Sequence, residues 1–375
     1  MTGRMAIVGG GWYGCHIAST LQNLGFEITL FEQHDRLLHE ASGNNQFRLH
    51  LGFHYARHYG TRMQSRDGFS RFIERYPGLS REVEENIYAV SRGDSLLDFP
   101  TYRLIMTSSG IDFIETETCS VPLRNVEGML RTRERILLIE EARQYFKTRL
   151  DAHLHLGCRI DRVEEHADRV MVNGNRYDLL IDATWGHFSH PQIDVFYEPT
   201  LLLYYECKTG FPAVTLVDGP LCSVYPTEDP HIFTLSSVPH TPLGRSDTAA
   251  GARRIRDAVD IGLVNARVAA MEQQMAHYLP EFRDNFRFLG PQLSMKTKPI
   301  GNYDDRSCSV VKNGRVISVM SGKIDTVFFA VERILSLTEA AFEVKIDPVR
   351  PVLREDLARH GHLSPTPLHD AGRPE

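Results

Sequence analysis

Gly9, Gly11 and Gly14 stand in G-x-G-x-x-G spacing within "AIVGGGWYGCHIASTLQNLGFEITLFEQ", and Glu32 follows 18 residues after Gly14. Glycine at the first place permits a tight turn, and at the second it lets backbone approach a pyrophosphate. At the third it lets a helix meet a strand. An acid at that distance can accept hydrogen bonds from an adenosine ribose, and it repels a ribose that carries a phosphate. The chemistry implied is dinucleotide binding. A second group is His50, His54 and His58, spaced four apart. On a helix they would form a metal-binding face, but Gly52 and the aromatic neighbours disfavour a helix and no carboxylate joins them, so no metal is expected. A neutral imidazole, with an ordinary pKa of about 6.5, can instead take a proton from a hydroxyl or ammonium group.

The elements that must position these residues are legible nearby. "RMAIVGG" reads as a buried parallel strand and "GCHIASTLQNLG" as a helix, with Ile17, Leu21 and Leu24 at helical spacing. "FEITLFE" is the next strand. The glycines therefore sit in a strand–turn–helix, where the helix N-terminus favours a diphosphate.

Composition narrows the class. The chain has 375 residues, 42% hydrophobic and 24% charged, which is a globular balance with ample core. A net charge of −6 without a basic run gives no sign of a nucleic-acid partner. Six scattered cysteines form no C-x-x-C pair, so neither zinc nor an iron–sulfur cluster is signalled. No apolar run of about 18 residues suggests a membrane span, and no signal peptide precedes the first strand. A cytoplasmic location is expected.

"ASGNNQFRLHLGFHYARHYG" follows Glu32 within ten residues. A nicotinamide enzyme would normally continue there with another regular βα unit. This stretch resembles the D-amino-acid-oxidase-like FAD-dependent oxidoreductases, which include the glycerol-3-phosphate and L-2-hydroxyglutarate dehydrogenases. Their small-residue turn, asparagine or serine, and H-x-G beside the isoalloxazine are matched by Ala41-Ser42-Gly43, Asn45 and His50-Leu51-Gly52. The likeness is greatest to the hydroxyglutarate branch, from which Gln46, Phe47 and Arg48 depart. "YDLLIDATWGHFS" looks like the strand and turn that return to FAD, placing Gly186 there. The β-meander "CRIDRVEEHADRVMVNGNRYD" precedes it. "GRVISVMSGKIDTVFFAVERIL" resembles the family's C-terminal strand, turn and helix. There Gly322, Lys323, Ile324, Asp325 and Thr326 would lie against the flavin pyrimidine.

The resemblance implies an α/β fold: a Rossmann-like FAD-binding domain with a discontinuous α+β substrate domain on a mostly antiparallel sheet. Residues 1–84, 133–198 and 300–345 are assigned to the first and 85–132 and 199–299 to the second. The proline-rich tail, 346–375, is expected to be partly disordered. "PLCSVYPTEDPHIFTLSSVPHTPLG" reads as two short strands, with Tyr225, Thr234, Ser236, His240 and Thr241 as candidates to face a ligand. A long helical pattern follows, with one or two breaks. Where the family commonly places a carboxylate-binding arginine this chain has Lys296 and Lys298, so Lys296, Arg48 and His54 join Tyr225 as substrate candidates. His50 is expected to be the catalytic base.

The implied activity is oxidation of a C–OH or C–NH group of a small polar substrate by hydride transfer to flavin N5, with FAD bound noncovalently. Oxygen or another acceptor would reoxidise it. An amine or amino-acid oxidase is the nearest alternative, and a flavin-binding protein without turnover is the alternative of another class.

Overall fold

The computed structural model describes residues 3–339, apart from 190, 192, 209, 302–304 and 321. Chain packing divides it into one compact unit ending at Leu337 and a second from Thr338 onward. The tail from 346 lies outside the described residues, as does the end of the segment 300–345.

Arg4–Val8 lies at the middle of a six-stranded sheet ordered Ser309–Asn313, Val316–Met320, Leu179–Asp182, Arg4–Val8, Glu27–Phe31 and Leu154–His155. All neighbours run parallel except the first pair. Met5, Ala6 and Ile7 are fully buried, as a strand covered on both faces requires. The helix begins at Trp12, two residues before the expected start, and runs to Asn23. Trp12 anchors that first turn. Its buried ring packs 5.3 Å from Phe72 and 5.4 Å from Phe146, contacts worth roughly 0.5–1.5 kcal/mol each beyond area burial.

The second large sheet has eight strands, in the order Phe286–Pro299, Val195–Cys207, Ile232–Ser237, Cys222–Pro226, Ala213–Val217, Asn86–Ser91, Val126–Arg131 and Ile114–Thr116. Its pairings are antiparallel except between Ala213–Val217 and Asn86–Ser91. The expected meander forms a separate sheet, Val163–Glu165, Val170–Val172 and Asn175–Tyr177. The long helical pattern is two helices, Ala249–Asp257 and Ile261–Tyr278. Asp260 makes the break by capping the second, accepting from the Leu263 N–H at 2.8 Å. Met271, Met275 and Tyr278 pack with the sheet residues Leu203, Tyr205 and Val224 in one core.

Two short pieces matter for the site. Arg48–Leu49 pairs with Arg135–Leu137, which also pairs with Ser80–Glu82. After Leu49 the chain turns until helix Tyr59–Arg75, where His58 is the N-cap and its Nδ1 accepts from the Thr61 N–H at 3.1 Å. His50, His54 and His58 thus share no helical face. At the other end, strand Val316–Met320 is followed by a turn, a short 3₁₀ segment Ile324–Thr326 and helix Val327–Glu339.

Candidate active site

A cavity of about 1410 Å³ runs from the glycine loop to Lys296 and Lys323. That exceeds the roughly 300–1,000 Å³ of a typical small-ligand pocket, so it has room for an extended ligand with space beyond it.

At the glycine end, Gly9 has φ +104° and donates to the Phe31 carbonyl at 2.8 Å. A Cβ on Gly14 would lie 1.8 Å from the Gly9 carbonyl oxygen. Gly14 therefore sits under the loop and does not line the cavity, whereas Gly9 and Gly11 do. A Cβ on Gly11 would project to 3.0 Å from Ser42 Oγ, with nothing else closer than 4.0 Å. Ser42 Oγ accepts from the Trp12 N–H at 3.0 Å, and Gly11 offers the helix no side-chain cap. A helix start bared this way suits an anionic diphosphate. Buried Glu32 accepts from the Gly10 N–H at 2.6 Å and the His34 N–H at 2.9 Å. A carboxylate has about four acceptor sites, so capacity remains for ribose hydroxyls. Asn45 holds the following turn. Its Nδ2 donates to the Ala41 and Ser42 carbonyls and its Oδ1 accepts from Phe47, whose φ is +57°. The residues present fit FAD.

The other end is cationic. Lys323 Nζ lies 3.1 Å from His50 Nε2 and 4.9 Å from the centre of the Tyr55 ring. The His54 ring is 6.0 Å from that of His50. Burial holds the His50 imidazole well below its usual pKa, helped by the charges of Lys323 and Arg48. His54 moves the same way, through burial first and then Lys323. It presents exposed surface, but to the cavity, whose walls desolvate it. Burial pushes Lys323 down to about 8, with Asp325 opposing the shift. Burial and the neighbouring Lys298 push Lys296 down to about 8 as well. Lys298 is ion-paired with Glu198. Arg48 donates to Thr215 Oγ1 at 2.6 Å and Tyr88 OH at 3.2 Å, and its Nε has no hydrogen-bond partner among the described residues.

Several expected residues lie elsewhere. Tyr225 is fully buried, with Arg48's guanidinium 4.0 Å over its ring, so it backs Arg48 and does not line the cavity. Gly186 faces a separate small hollow, where a Cβ would meet Pro191 at 2.6 Å; its neighbours Trp185 and His187 line the main cavity. Gly52 turns toward the Arg62 carbonyl. In the C-terminal turn Gly322, Lys323 and Ile324 line the cavity. Buried Thr326 instead bonds Tyr13 OH at 2.6 Å, and Asp325 is buried behind the turn, its carboxyl pushed up to about 6 by burial. Of the strand candidates, Ser236 and Thr241 reach the cavity; Thr234 and His240 do not.

Two residues were not anticipated. Glu134, fully buried, accepts from the Leu51 N–H at 2.8 Å and Tyr88 OH at 2.6 Å, and lies 3.8 Å from His50 Nδ1. Tyr88 is its partner. The metal-ligating side chains grouped together among the described residues are His34, His39 and Glu40. The two imidazoles stack at 3.8 Å and 8°, so their in-plane lone pairs do not converge on one ion. Among the described residues no helix is long and apolar enough to cross a membrane.

A family model described as an NAD(P)-binding Rossmann-like domain matches residues 7–70. The FAD-dependent monooxygenase FPY4 of Fusarium mangiferae is 61% identical over 335 residues, 89% of this chain and 91% of that protein. The FAD-dependent monooxygenase kojA of Aspergillus flavus is 28% identical, over 89% of this chain and 85% of its own. Among solved structures, the FAD-bound L-alpha-glycerophosphate oxidase from Mycoplasma pneumoniae superposes with a TM-score of 0.68 at 13% identity, covering 89% of this chain and 93% of that one. Glycine oxidase from Geobacillus kaustophilus gives 0.66 at 12%, covering 91% and 95%. These structural likenesses show a shared fold.

Proposed function

We propose that this chain, which belongs to the FAD-dependent oxidoreductases, oxidises a C–OH or C–NH group of a small polar substrate, with His50 and Lys323 together taking the substrate proton. The observation that carries this reading is the 3.1 Å contact between Lys323 Nζ and His50 Nε2 on the cavity wall. Bound FAD supplies the two-electron acceptor. The chain's own residues do the rest.

Glu32, Gly9, Gly11 and Ser42 would hold the adenosine and diphosphate, and Gly322, Lys323 and Ile324 the far end of the cofactor. Lys296 and Arg48, with the neutral imidazole of His54 beside them, line a surround with space beside His50, which favours a polar or anionic substrate. Cofactor binding is assigned to 1–84, 133–198 and 300–345, whose strands build the parallel sheet, and substrate binding to 85–132 and 199–299. The FAD is read as noncovalent. Of the cysteines on the cavity wall, Cys222 has its thiol pushed up to about 12 by burial, a poor nucleophile, and Cys158 lies toward the Glu32 end.

A second reading has a specific basis: the two relatives named above are both called monooxygenases. In the nicotinamide-dependent form of that chemistry NADH or NADPH reduces the cofactor and the substrate does not. The two readings part on what supplies the electrons.

The proton-acceptor reading makes a pH prediction. While Lys323 carries its proton it donates to His50 Nε2, and no lone pair there is free for substrate. The pair becomes a base once it has lost one proton. Because Lys323 is lowered from its usual 10.5 to about 8, the active form grows as pH rises through about 8. Anaerobic cofactor reduction by substrate should therefore accelerate across that range and level off above it. His50 has its own pKa held far lower and does not make this limb. Lys323→Met should abolish the limb. A rate flat from pH 6.5 to 9.5 in the wild-type protein would remove the pair from the proton step.

A further inference from the structure

Behind His50, on the side away from the cavity, lies a carboxylate that none of the steps above uses. Glu134 has no exposed surface and does not line the cavity. Its Oε1 accepts from the Leu51 N–H at 2.8 Å, and its Oε2 accepts from Tyr88 OH at 2.6 Å. Tyr88 in turn accepts from Arg48 Nη1 at 3.2 Å. Oε1 is 3.8 Å from His50 Nδ1, roughly 0.6 Å or more beyond hydrogen-bond length. That Nδ1 is buried and has no other hydrogen-bond partner among the described residues. Nε2, on the opposite edge of the ring, faces Lys323.

We propose that Glu134 is a positioning residue for His50: it takes the hydrogen bond of Nδ1–H, fixes the tautomer that leaves Nε2 toward Lys323 and substrate, and supplies the countercharge when the imidazole accepts a proton. This rests on reading His50 as part of the proton acceptor. The physical ground is the cost of an unpaired buried cation. A protonated His50 would face Lys323 and Arg48, with His54 and Tyr55 as its other ring neighbours, none of them anionic at neutral pH. Among the described residues, Glu134 is the carboxylate within 4 Å of the His50 ring nitrogens. Asp325 lies on the Lys323 side, and Tyr88, Arg48, Tyr102 and Tyr225 complete the groups around Glu134. Two donors, the Leu51 N–H and the Tyr88 hydroxyl, hold the carboxylate in place. Of about four acceptor sites, capacity remains for the His50 Nδ1–H. Hydrogen bonds of this kind are often long before a ligand is seated.

The test needs no substrate. In FAD-loaded protein labelled with ¹⁵N-histidine, the His50 signals are assigned by their loss in His50→Asn and followed against pH. In the wild type Nδ1 should carry the proton, and Nε2 should report the loss of the Lys323 proton. Glu134→Gln, which keeps the shape and removes the charge, should lower that midpoint by about one unit, a tenfold change in the equilibrium. Glu134→Asp should restore most of it. A merely structural glutamate would change thermal stability and leave the midpoint where it was. An unprotonated Nδ1 in the wild type overturns the proposal, whatever the variants do. So does a folded, FAD-loaded Glu134→Gln whose midpoint matches the wild type. If His50→Asn keeps the full rate of cofactor reduction while these signals behave as expected, the positioning holds and the proton-acceptor reading is the one that fails.

Discussion

His50→Asn should keep its yellow colour and lose about 10²- to 10⁴-fold in the rate at which substrate reduces the cofactor, the usual worth of a positioned proton acceptor. FAD should stay because the groups assigned to its adenosine and diphosphate, Glu32, Gly9, Gly11 and Ser42, are untouched. Above about pH 8, where the neutral wild-type pair shares the substrate proton across 3.1 Å, Lys323→Met should fall within the same range, and the double variant should lose little more. His54→Asn is the control. Its ring is 6.0 Å from that of His50 and bonds neither partner, so its effect should stay below tenfold. Reoxidation should be nearly unchanged in all of them, because it does not remove the substrate proton. Full activity in His50→Asn, measured by anaerobic stopped-flow absorbance, would move the role to another group.

The second large effect concerns the glycines, which should fail differently. Gly11→Leu should give folded protein without FAD. A Cβ there meets only Ser42 within 4 Å, and Gly11 lines the cavity where the diphosphate is assigned, so a leucine takes up space the cofactor needs. Gly14→Val should lose both FAD and stability. Its Cβ would stand 1.8 Å from the Gly9 carbonyl, which is backbone and cannot rotate away. Overpacking of this kind costs roughly 1–3 kcal/mol and sometimes more. Circular dichroism, melting and flavin content separate the two. Wild-type protein precipitated with acid should leave its FAD in solution. A Gly11→Leu protein that stays yellow, or a Gly14→Val protein as stable as wild type, would contradict this placement of the loop.

The dinucleotide end was legible because its signal is local. Glycine spacing, a strand before and a helix after, and an acid at the next strand end all fall within 28 residues of chain, from "AIVGG" to Glu32 and Gln33. The first parallel strands and the β-meander are legible for the same reason, from hydrophobic periodicity and turns, whereas the large antiparallel sheet is an expectation that only the family resemblance supplies. The inner end is not legible. Lys323 was assigned to the C-terminal turn, yet its ammonium meets an imidazole 273 positions away, a pairing that only the fold creates. Glu134 stands among three arginines in "RTRERIL", which carries no motif that points to a site. The pairing of Arg135–Leu137 with Arg48–Leu49 places Glu134 behind His50. Gly186 was off by one residue. The positive φ of both Trp185 and Gly186 turns the chain there, so that Trp185 and His187 face the cavity and Gly186 faces Tyr197 and Pro191. Tyr225 missed by depth, since Arg48 covers its ring.

The central claim is that electrons reach the cofactor from the substrate's own C–H bond. It is tested most directly by mixing the purified yellow protein, under strict exclusion of oxygen, with a panel of small alcohols, hydroxy acids and amines in one series and with NADH or NADPH in another. The account predicts saturable bleaching of the flavin band by at least one member of the first series with no nicotinamide present, and at most slow bleaching by the second. Rapid, saturable bleaching by NADPH or NADH, with none from the panel, would contradict it and leave the monooxygenase reading in its place.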